Sequence, residues 1–215
     1  MQTHSGQELI QALKGSATAG QPCLSLPVGS PVEALLRPVA TAPGKLNDAD
    51  VRVLTEWRNR FVKSFLTEFE ATEERTASWL TDVIGPDPTR ILFMLDDAHG
   101  KTVGYLGLGF IDWQQGVGEA DAIVRGAEVA PGVMAKALFT LLGWGYEQLG
   151  LETIGARVRS DNPSLNFFLK IGKELKRVPL RRTEEPGMVR WSEDETLVTS
   201  PASLVYLLFD RKFRA

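Results

Sequence analysis

The chain has 215 residues, 43% of them apolar and 24% charged, with 24 Lys and Arg set against 27 Asp and Glu. That size and balance describe an ordinary globular domain with an ample core, and a net charge of −3 argues against a nucleic-acid surface. No apolar run nears the roughly 18 residues that span a bilayer, and the first residues lack a basic-then-apolar leader. The single Cys23 cannot form an internal disulfide, so a cytoplasmic protein with no membrane partner is expected.

Only two histidines are present, His4 in an expected tail and His99 in the turn LDDAHGK. Cys-His or Ser-His-Asp catalysis and a His-rich zinc site lack their parts, so no metal is expected. Proton chemistry then falls to carboxylates, tyrosine, lysine, backbone or water.

Residues 1–33 are weakly patterned and read as a variable arm, with a short helix in GQELIQALKG and a short strand in CLSLPV. A globular domain is expected over 34–215, starting with the strand LLRPVA, where Pro38 suits an edge position. Asn47 or Asp48 caps a helix through ADVRVLTEWRNRF, whose Val51, Leu54 and Phe61 form a buried stripe. A second helix opens at Thr72-Glu73-Glu74, with acid in its first turn, and ends before Gly85-Pro86. RILFMLDD (90–97) and TVGYLGLGFID (102–112) form a hairpin in which Gly104, Gly107 and Gly109 mark bulges or a close approach.

The stretch EADAIVRGAEVAPGVMAKALFTLLGWGYEQL (119–149) organises the rest. Glu119, Asp121, Ile123 and Arg125 alternate with Ala120, Ala122 and Val124, the period of a strand. Gly126 breaks that strand, and Pro131-Gly132 opens a helix that is apolar on nearly every side. The amides of Gly132, Val133 and Met134 should be free there, and a helix start with free amides attracts anions, phosphate above all. The plain alternative is a strand–helix junction with solvated amides. Downstream, TIGARVRS (153–160) is a strand and SDNPSLNFFLKIG a short helix. KELKRVPLRR is extended, TEEPGMVRWSEDETLVTSP is a polar loop with an exposed Trp191, and SLVYLLFD (203–210) is a last strand. Strands and helices in this order predict an α/β or α+β class, with helices on both faces of a mixed sheet.

WRNRF…TEERTASWL, EADAIVRG…PGVMAKALFTLLGWGYEQLGL and RVRSDNPSLNFFLKIG together make residues 35–210 resemble the GNAT superfamily of acetyl-CoA-dependent N-acetyltransferases. The resemblance implies one mixed, mostly antiparallel central sheet. In it, strands 119–125 and 153–159 would splay to admit the pantetheine arm of acetyl-CoA. Backbone groups of Ile123, Val124 and Arg125 would bond its amides, and those of Gly132, Val133, Met134 and Ala135 would hold the pyrophosphate. Asn162 and Phe168 would meet the cofactor from the other side of the groove. Glu119 stands where family members often keep a carboxylate base, with Asp121 as its substitute.

Two positions depart from the family pattern. The loop Val129–Met134 keeps only its first glycine, and the usual tyrosine general acid is Phe168. The second loss is survivable, because a thiol with a pKa near 8.5 leaves tolerably without help. Arg58, Asp112, Trp113 and Arg159 are candidates to line the acceptor side. The WRN, Trp-Leu and RVPLRR segments resemble the branch linked to amino-sugar and surface-polysaccharide biosynthesis, which implies a small-molecule amine acceptor, including a nucleotide-linked amino sugar. Rival expectations are a protein N-terminal or lysine acetyltransferase and a CoA-binding regulator without activity. Homodimer formation is left open.

Overall fold

The structure, a computed structural model, describes residues 5–211; His4 lies outside the described residues. Chain order begins α1 (Gly6–Ser16), β1 (Leu26–Val28), β2 (Ala34–Pro38), α2 (Asp48–Arg60), β3 (Thr67–Phe69) and α3 (Glu73–Ser78). It continues β4 (Ile91–Asp97), β5 (Thr102–Asp112), β6 (Val117–Arg125), α4 (Val133–Glu147), β7 (Thr153–Arg159) and α5 (Leu165–Ile171). It closes with β8 (Gly172–Glu185), β9 (Met188–Glu193) and β10 (Ser203–Phe209). A π-helical turn, Trp79–Ile84, prolongs α3.

The strands form one sheet in the order β1-β2-β4-β5-β6-β7-β10-β8-β9-β3. Neighbours run antiparallel except β6 and β7, which are parallel. This is the mixed, mostly antiparallel sheet expected from the sequence. A parallel pair needs a crossover, and α4 supplies it. Ala137, Leu138 and Leu141 of α4 are fully buried, which is why that helix is apolar around so much of its circumference. It shares one core with Phe93, Leu106, Leu108, Ile154 and Phe168. On the other face, Val51, Leu54 and Trp57 of α2 pack with Leu92, Met94, Tyr105 and Val124.

Side chains cap both front helices. Asn47 Oδ1 accepts from the amides of Ala49 and Asp50, and Thr72 Oγ1 accepts from Arg75. Pro38 ends β2 beyond the reach of β1, whose pairing stops at Leu36, so it meets no strand on that side. Two glycines of β5 are approached by neighbouring backbone. A β-carbon on Gly104 would lie 2.5 Å from the Val124 carbonyl oxygen, and one on Gly107 would lie 2.3 Å from that of Ile91.

Two segments differ from the sequence expectation. Residues 6–28, read as an arm, are packed into the domain: Ile10 and Val28 are fully buried in the α4 core. A reciprocal capping box between Ser5 and Glu8 starts α1. The expected polar loop at 183–201 contains β9, paired along β8. Trp191 is buried there, with its Nε1 donating to Glu68 Oε1 at 2.7 Å.

Lys14 anchors α1 to the end of the π-helical turn. Its buried Nζ donates to the carbonyls of Ile84 at 2.9 Å and Asp87 at 2.6 Å. Burial lowers its pKa from 10.5 to about 8, with Asp87 opposing and Arg90 assisting. Between those values the folded state binds fewer protons than the unfolded one, so this group's contribution to stability rises with pH. Urea titrations of the wild type and Lys14→Met at pH 7 and 9.5 should show the difference in unfolding free energy moving toward the wild type by on the order of 1 kcal/mol.

Candidate active site

β6 and β7 pair over only three positions, Val117 with Thr153, Gly118 with Ile154 and Glu119 with Gly155. Beyond Glu119, β6 stays with β5 as far as Arg125 opposite Gly104, while β7 stays with β10 as far as Arg159 opposite Leu204. The strands therefore splay, and the backbone groups on their facing edges have no strand partner. Such groups call for a ligand or water. The gap opens into a cleft of about 1040 Å³ lined by β6 from Glu119 to Arg125 and β7 from Ala156 to Arg159. Asn162 and Phe168 lie on one side of it, and Arg58, Tyr105 and the 64–71 segment on the other.

Two bulges shape the cleft floor. On β6, Ala122 and Ile123 face Leu106 alone, and Ala122 takes a left-handed φ of 52°. On β5, Phe110 and Ile111 face Gly118 alone, and Phe110 takes a φ of 53°. For residues with a β-carbon this conformation costs about 1–3 kcal/mol, and such strain concentrates at functional sites.

Glu119 sits at the point of divergence. Arg157 Nε donates to its Oε2 at 2.8 Å, and both side chains are 24% exposed. Burial raises the Glu119 pKa and the Arg157 bond only partly opposes it. Asp121 shares the cleft, its Oδ2 against the open face of Gly109.

Gly132 takes a φ of 88° just before α4, a conformation that side chains resist, while the space around it is open. The expected set of free amides needs one correction. Val133 N–H donates to the Ala130 carbonyl at 3.2 Å, closing the turn that Pro131 begins. The amides of Gly132, Met134 and Ala135 have no acceptor among the described residues. The Met134 sulfur lies against Gly104, the residue opposite Arg125, so the helix start abuts the far end of the splayed strand.

The run WRNR builds the front wall. A β-carbon on Gly126 would lie 2.0 Å from the Trp57 indole, so only glycine lets the ring lie there. Trp57 also stacks on Tyr105, with centroids 6.2 Å apart. Arg58 donates to the Thr67 carbonyl and lies 3.9 Å from the Phe65 ring centroid. Asn59 exchanges two hydrogen bonds with the Ala71 backbone, and Arg60 donates to the Gly126 carbonyl at 2.6 Å.

A family model described as an acetyltransferase (GNAT) domain matches residues 43–173. The chain belongs to the GNAT acetyltransferase family. It is thus an acetyl-CoA-dependent N-acetyltransferase acting on amines. No curated protein matches it. Solved structures with the same fold include a probable GNAT acetyltransferase from Chromobacterium violaceum, 15% identical with a TM-score of 0.63, covering 91% of this chain and 96% of the other. Another is apo FdhC, a nucleotide-linked sugar GNAT, 13% identical with a TM-score of 0.61 over 88% of this chain and 92% of that one. A third is a point mutant of the spermidine N-acetyltransferase SpeG from Vibrio cholerae, 15% identical with a TM-score of 0.59 over 82% and 93%.

Within this acetyltransferase the cleft brings together Glu119, Asp121, Ile123, Val124, Arg125, Asn162, Phe168, Arg58 and Arg159. It does not include Asp112 or Trp113. Asp112 accepts from the amides of Gln114 and Gln115 in the following turn, and the Trp113 indole donates to the Pro88 carbonyl beside Gly6. Arg159 reaches the cleft, but its donors serve the fold. They go to both oxygens of Asp161, to the Phe65 carbonyl and to Glu68. Asn162 Oδ1 accepts from Ser164 N–H at 2.9 Å.

Tyr105 and Phe110 also line the cleft, and neither was singled out from the sequence. Burial pushes the Tyr105 phenol well above its ordinary pKa, so it is a neutral donor at physiological pH. The signal was present in the alternation of Tyr105, Gly107 and Gly109 on the face opposite Leu106 and Leu108.

Glu68 ties the wall to the sheet. It accepts from Lys63 at 2.6 Å, Trp191 at 2.7 Å and Arg159 at 3.2 Å. Burial would raise its pKa, yet these bonds outweigh burial and hold it down at about 2 against 4.5 when free. The folded state thus binds fewer protons in that range, and the stabilisation present above pH 4.5 is lost as pH falls toward 2. In Glu68→Gln the acid limb of a stability–pH curve should be flatter, and unfolding at pH 7 easier by about 1–3 kcal/mol. Outside the cleft lining, at the start of α4, Gly132→Val should weaken acetyl-CoA binding at least tenfold, about 1.4 kcal/mol by calorimetry, without loss of folding.

Proposed function

We propose that the enzyme acetylates the primary amine of an amino sugar, free or nucleotide-linked, with Glu119 as the base and Asp121 beside it. The observation that carries this reading is the position of Glu119 at the last paired step of β6 and β7, where the cleft opens. Acetyl-CoA supplies the acyl group as a thioester. The edge of β6 from Ile123 to Arg125 that β7 leaves open, with the amides of Gly132, Met134 and Ala135, suits its pantetheine and pyrophosphate. An N–H near Val124 is set to donate to the acyl oxygen.

The amine nitrogen forms its bond to the acyl carbon, the carbon–sulfur bond breaks, and the sulfur leaves with the electron pair as thiolate, which takes up the proton the nitrogen then loses. Before attack the ammonium must lose a proton. Glu119 receives it through water, and a carboxylate with a raised pKa holds it better.

Charge on the cleft wall favours a sugar over a polyamine. The lining carries five arginines, at positions 58, 75, 125, 157 and 159, of which Arg159 is spent on Asp161, Phe65 and Glu68, against the four carboxylates Glu74, Asp82, Glu119 and Asp121. A linear polycation would meet as much repulsion as attraction there, whereas an acceptor with one ammonium and hydroxyl or phosphate groups finds partners for each. FdhC, described as a nucleotide-linked sugar GNAT, offers a precedent on the same fold.

Glu119→Gln should lower turnover about 10²–10⁴-fold with acetyl-CoA affinity nearly unchanged. The loss should shrink as pH approaches the pKa of the amine, since the acceptor then arrives deprotonated. Asp121→Asn is the comparison: a larger loss there moves the base to Asp121, and no loss in either variant refutes a carboxylate base.

A further inference from the structure

Phe110 stands out among the cleft residues that the proposed chemistry does not use. It is a large apolar side chain left 49% exposed, on a backbone that only glycine adopts freely. The residue before it is Gly109, so a chain under no other constraint could have placed glycine at the strained position instead. The bulge has a definite effect on geometry. Along β5, Tyr105 lines the cleft, with Gly107 and Gly109 on the same strand face, while Leu106 and Leu108 face the α4 core. The extra residue breaks that alternation, sends Ile111 to the core and turns Phe110 into the cleft.

The surroundings of the ring are specific. Gly109 pairs with Glu119, so Phe110 emerges one residue beyond the position opposite the proposed base. The Arg157 guanidinium lies 4.4 Å from the ring centroid while its Nε holds Glu119. The Arg90 guanidinium lies 5.2 Å from the same centroid. One arginine thus joins the ring to the carboxylate, and the space beside the preceding Gly109 is taken by Asp121 Oδ2, the second carboxylate of the cleft.

We propose that Phe110 is the specificity-determining platform for the acceptor. It seats the apolar face of a ring-bearing amine, so that the amine reaches Glu119 and cyclic acceptors are preferred over linear ones. Exposed aromatic rings of this kind pack against the C–H face of a pyranose, while the Arg157 guanidinium beside it serves hydroxyl or phosphate oxygens and Arg90 stays paired with Asp87. This inference rests on the amine acetyltransferase reading of the cleft and narrows its substrate class.

The test pairs kinetics with binding. Thiol release is followed with glucosamine, glucosamine 6-phosphate and UDP-glucosamine as cyclic acceptors, and with 1,4-diaminobutane and spermidine as linear ones. Phe110→Gly should raise KM for the cyclic acceptors tenfold or more, change kcat/KM for the linear ones less than twofold and leave the acetyl-CoA KM unchanged. Its melting temperature should not fall, because glycine relieves the left-handed backbone. Phe110→Tyr should keep wild-type selectivity. The phosphorylated probes separate ring recognition from phosphate recognition, since a loss confined to them would overturn the ring platform.

In parallel, methyl glucosaminide is bound to the CoA-loaded protein and observed by saturation-transfer NMR. Ring-proton signals in the wild type that disappear in Phe110→Gly support the platform. Equal loss for linear and cyclic acceptors, or a glucosaminide signal that is absent or independent of Phe110, would overturn it. If no amine is acetylated but the glucosaminide binds in a Phe110-dependent way, the acetyl-transfer reading fails and the platform stands.

Discussion

The parallel contact between β6 and β7 is the constraint from which the rest follows. Parallel strands cannot be joined by a tight turn, so the chain leaves β6 at Arg125, crosses behind the sheet as α4 and returns as β7. That route sets the start of α4 against the far end of β6. The same two strands are held on their outer sides by β5 and β10 over long registers. Sheet twist and two strong outer partners leave little to hold the inner pair together, and their contact ends after Glu119. A sheet that paired throughout would have no cleft. The gap is therefore a product of topology, and side chains only furnish it.

The front wall depends on a second constraint, long-range polar contacts that fix an otherwise short and irregular segment. Residues 61–72 contain only a three-residue strand and one 3₁₀ turn, too little regular structure to hold a position alone. Two side chains of α2, Arg58 and Asn59, tie it down through three backbone bonds, and Glu68 joins it to β7 and β9 through Arg159 and Trp191. A buried carboxylate with three donors is costly to assemble but costlier to disrupt, because removing it takes an acceptor from the buried Arg159 guanidinium and Trp191 indole, while Lys63 turns to solvent. This is why Arg159, which looks from the sequence like a cleft cation available to substrate, is committed to structure.

Regular elements were legible because their signals are local. Caps at Asn47 and Thr72, the apolar α4 and the alternating β6 all appear where periodicity and capping put them. Elements that depend on distant partners were not. β9 is polar on its exposed face, and nothing within it announces that Trp191 will meet Glu68, which lies 123 positions earlier. The Pro186-Gly187 turn was the available hint. Asp112 and Trp113 were misjudged for a different reason. They sit at the end of β5, where their polar atoms are taken up by Gln114, Gln115 and Pro88, and the bulge at Phe110 shifts the parity of the strand just before them. The same shift brings Phe110 into the cleft. α1 was undervalued because its composition is ordinary, and only the burial of Ile10 and Lys14 reveals that it is part of the core.

The cleft also bears on how the enzyme manages without a phenol at position 168. Phe168 is buried and edge-packed against Phe167, so it fills space where a hydroxyl would have needed a partner. Tyr105 offers a phenol on the opposite wall, held in place by its stack on Trp57. Burial keeps that phenol protonated, and Asp121 nearby reinforces the effect while the Arg58 charge works against it. At neutral pH such a group can donate a hydrogen bond but cannot take a proton. Glu119 is its counterpart, a carboxylate whose burial makes it a better acceptor while Arg157 limits how far its pKa climbs. The environment thus pushes two titratable groups of one cleft in ways that separate their capacities, one fixed as donor and one available as acceptor. For a thioester, whose leaving thiol needs little help, proton removal from the amine is the step that requires an acceptor, the role proposed for Glu119.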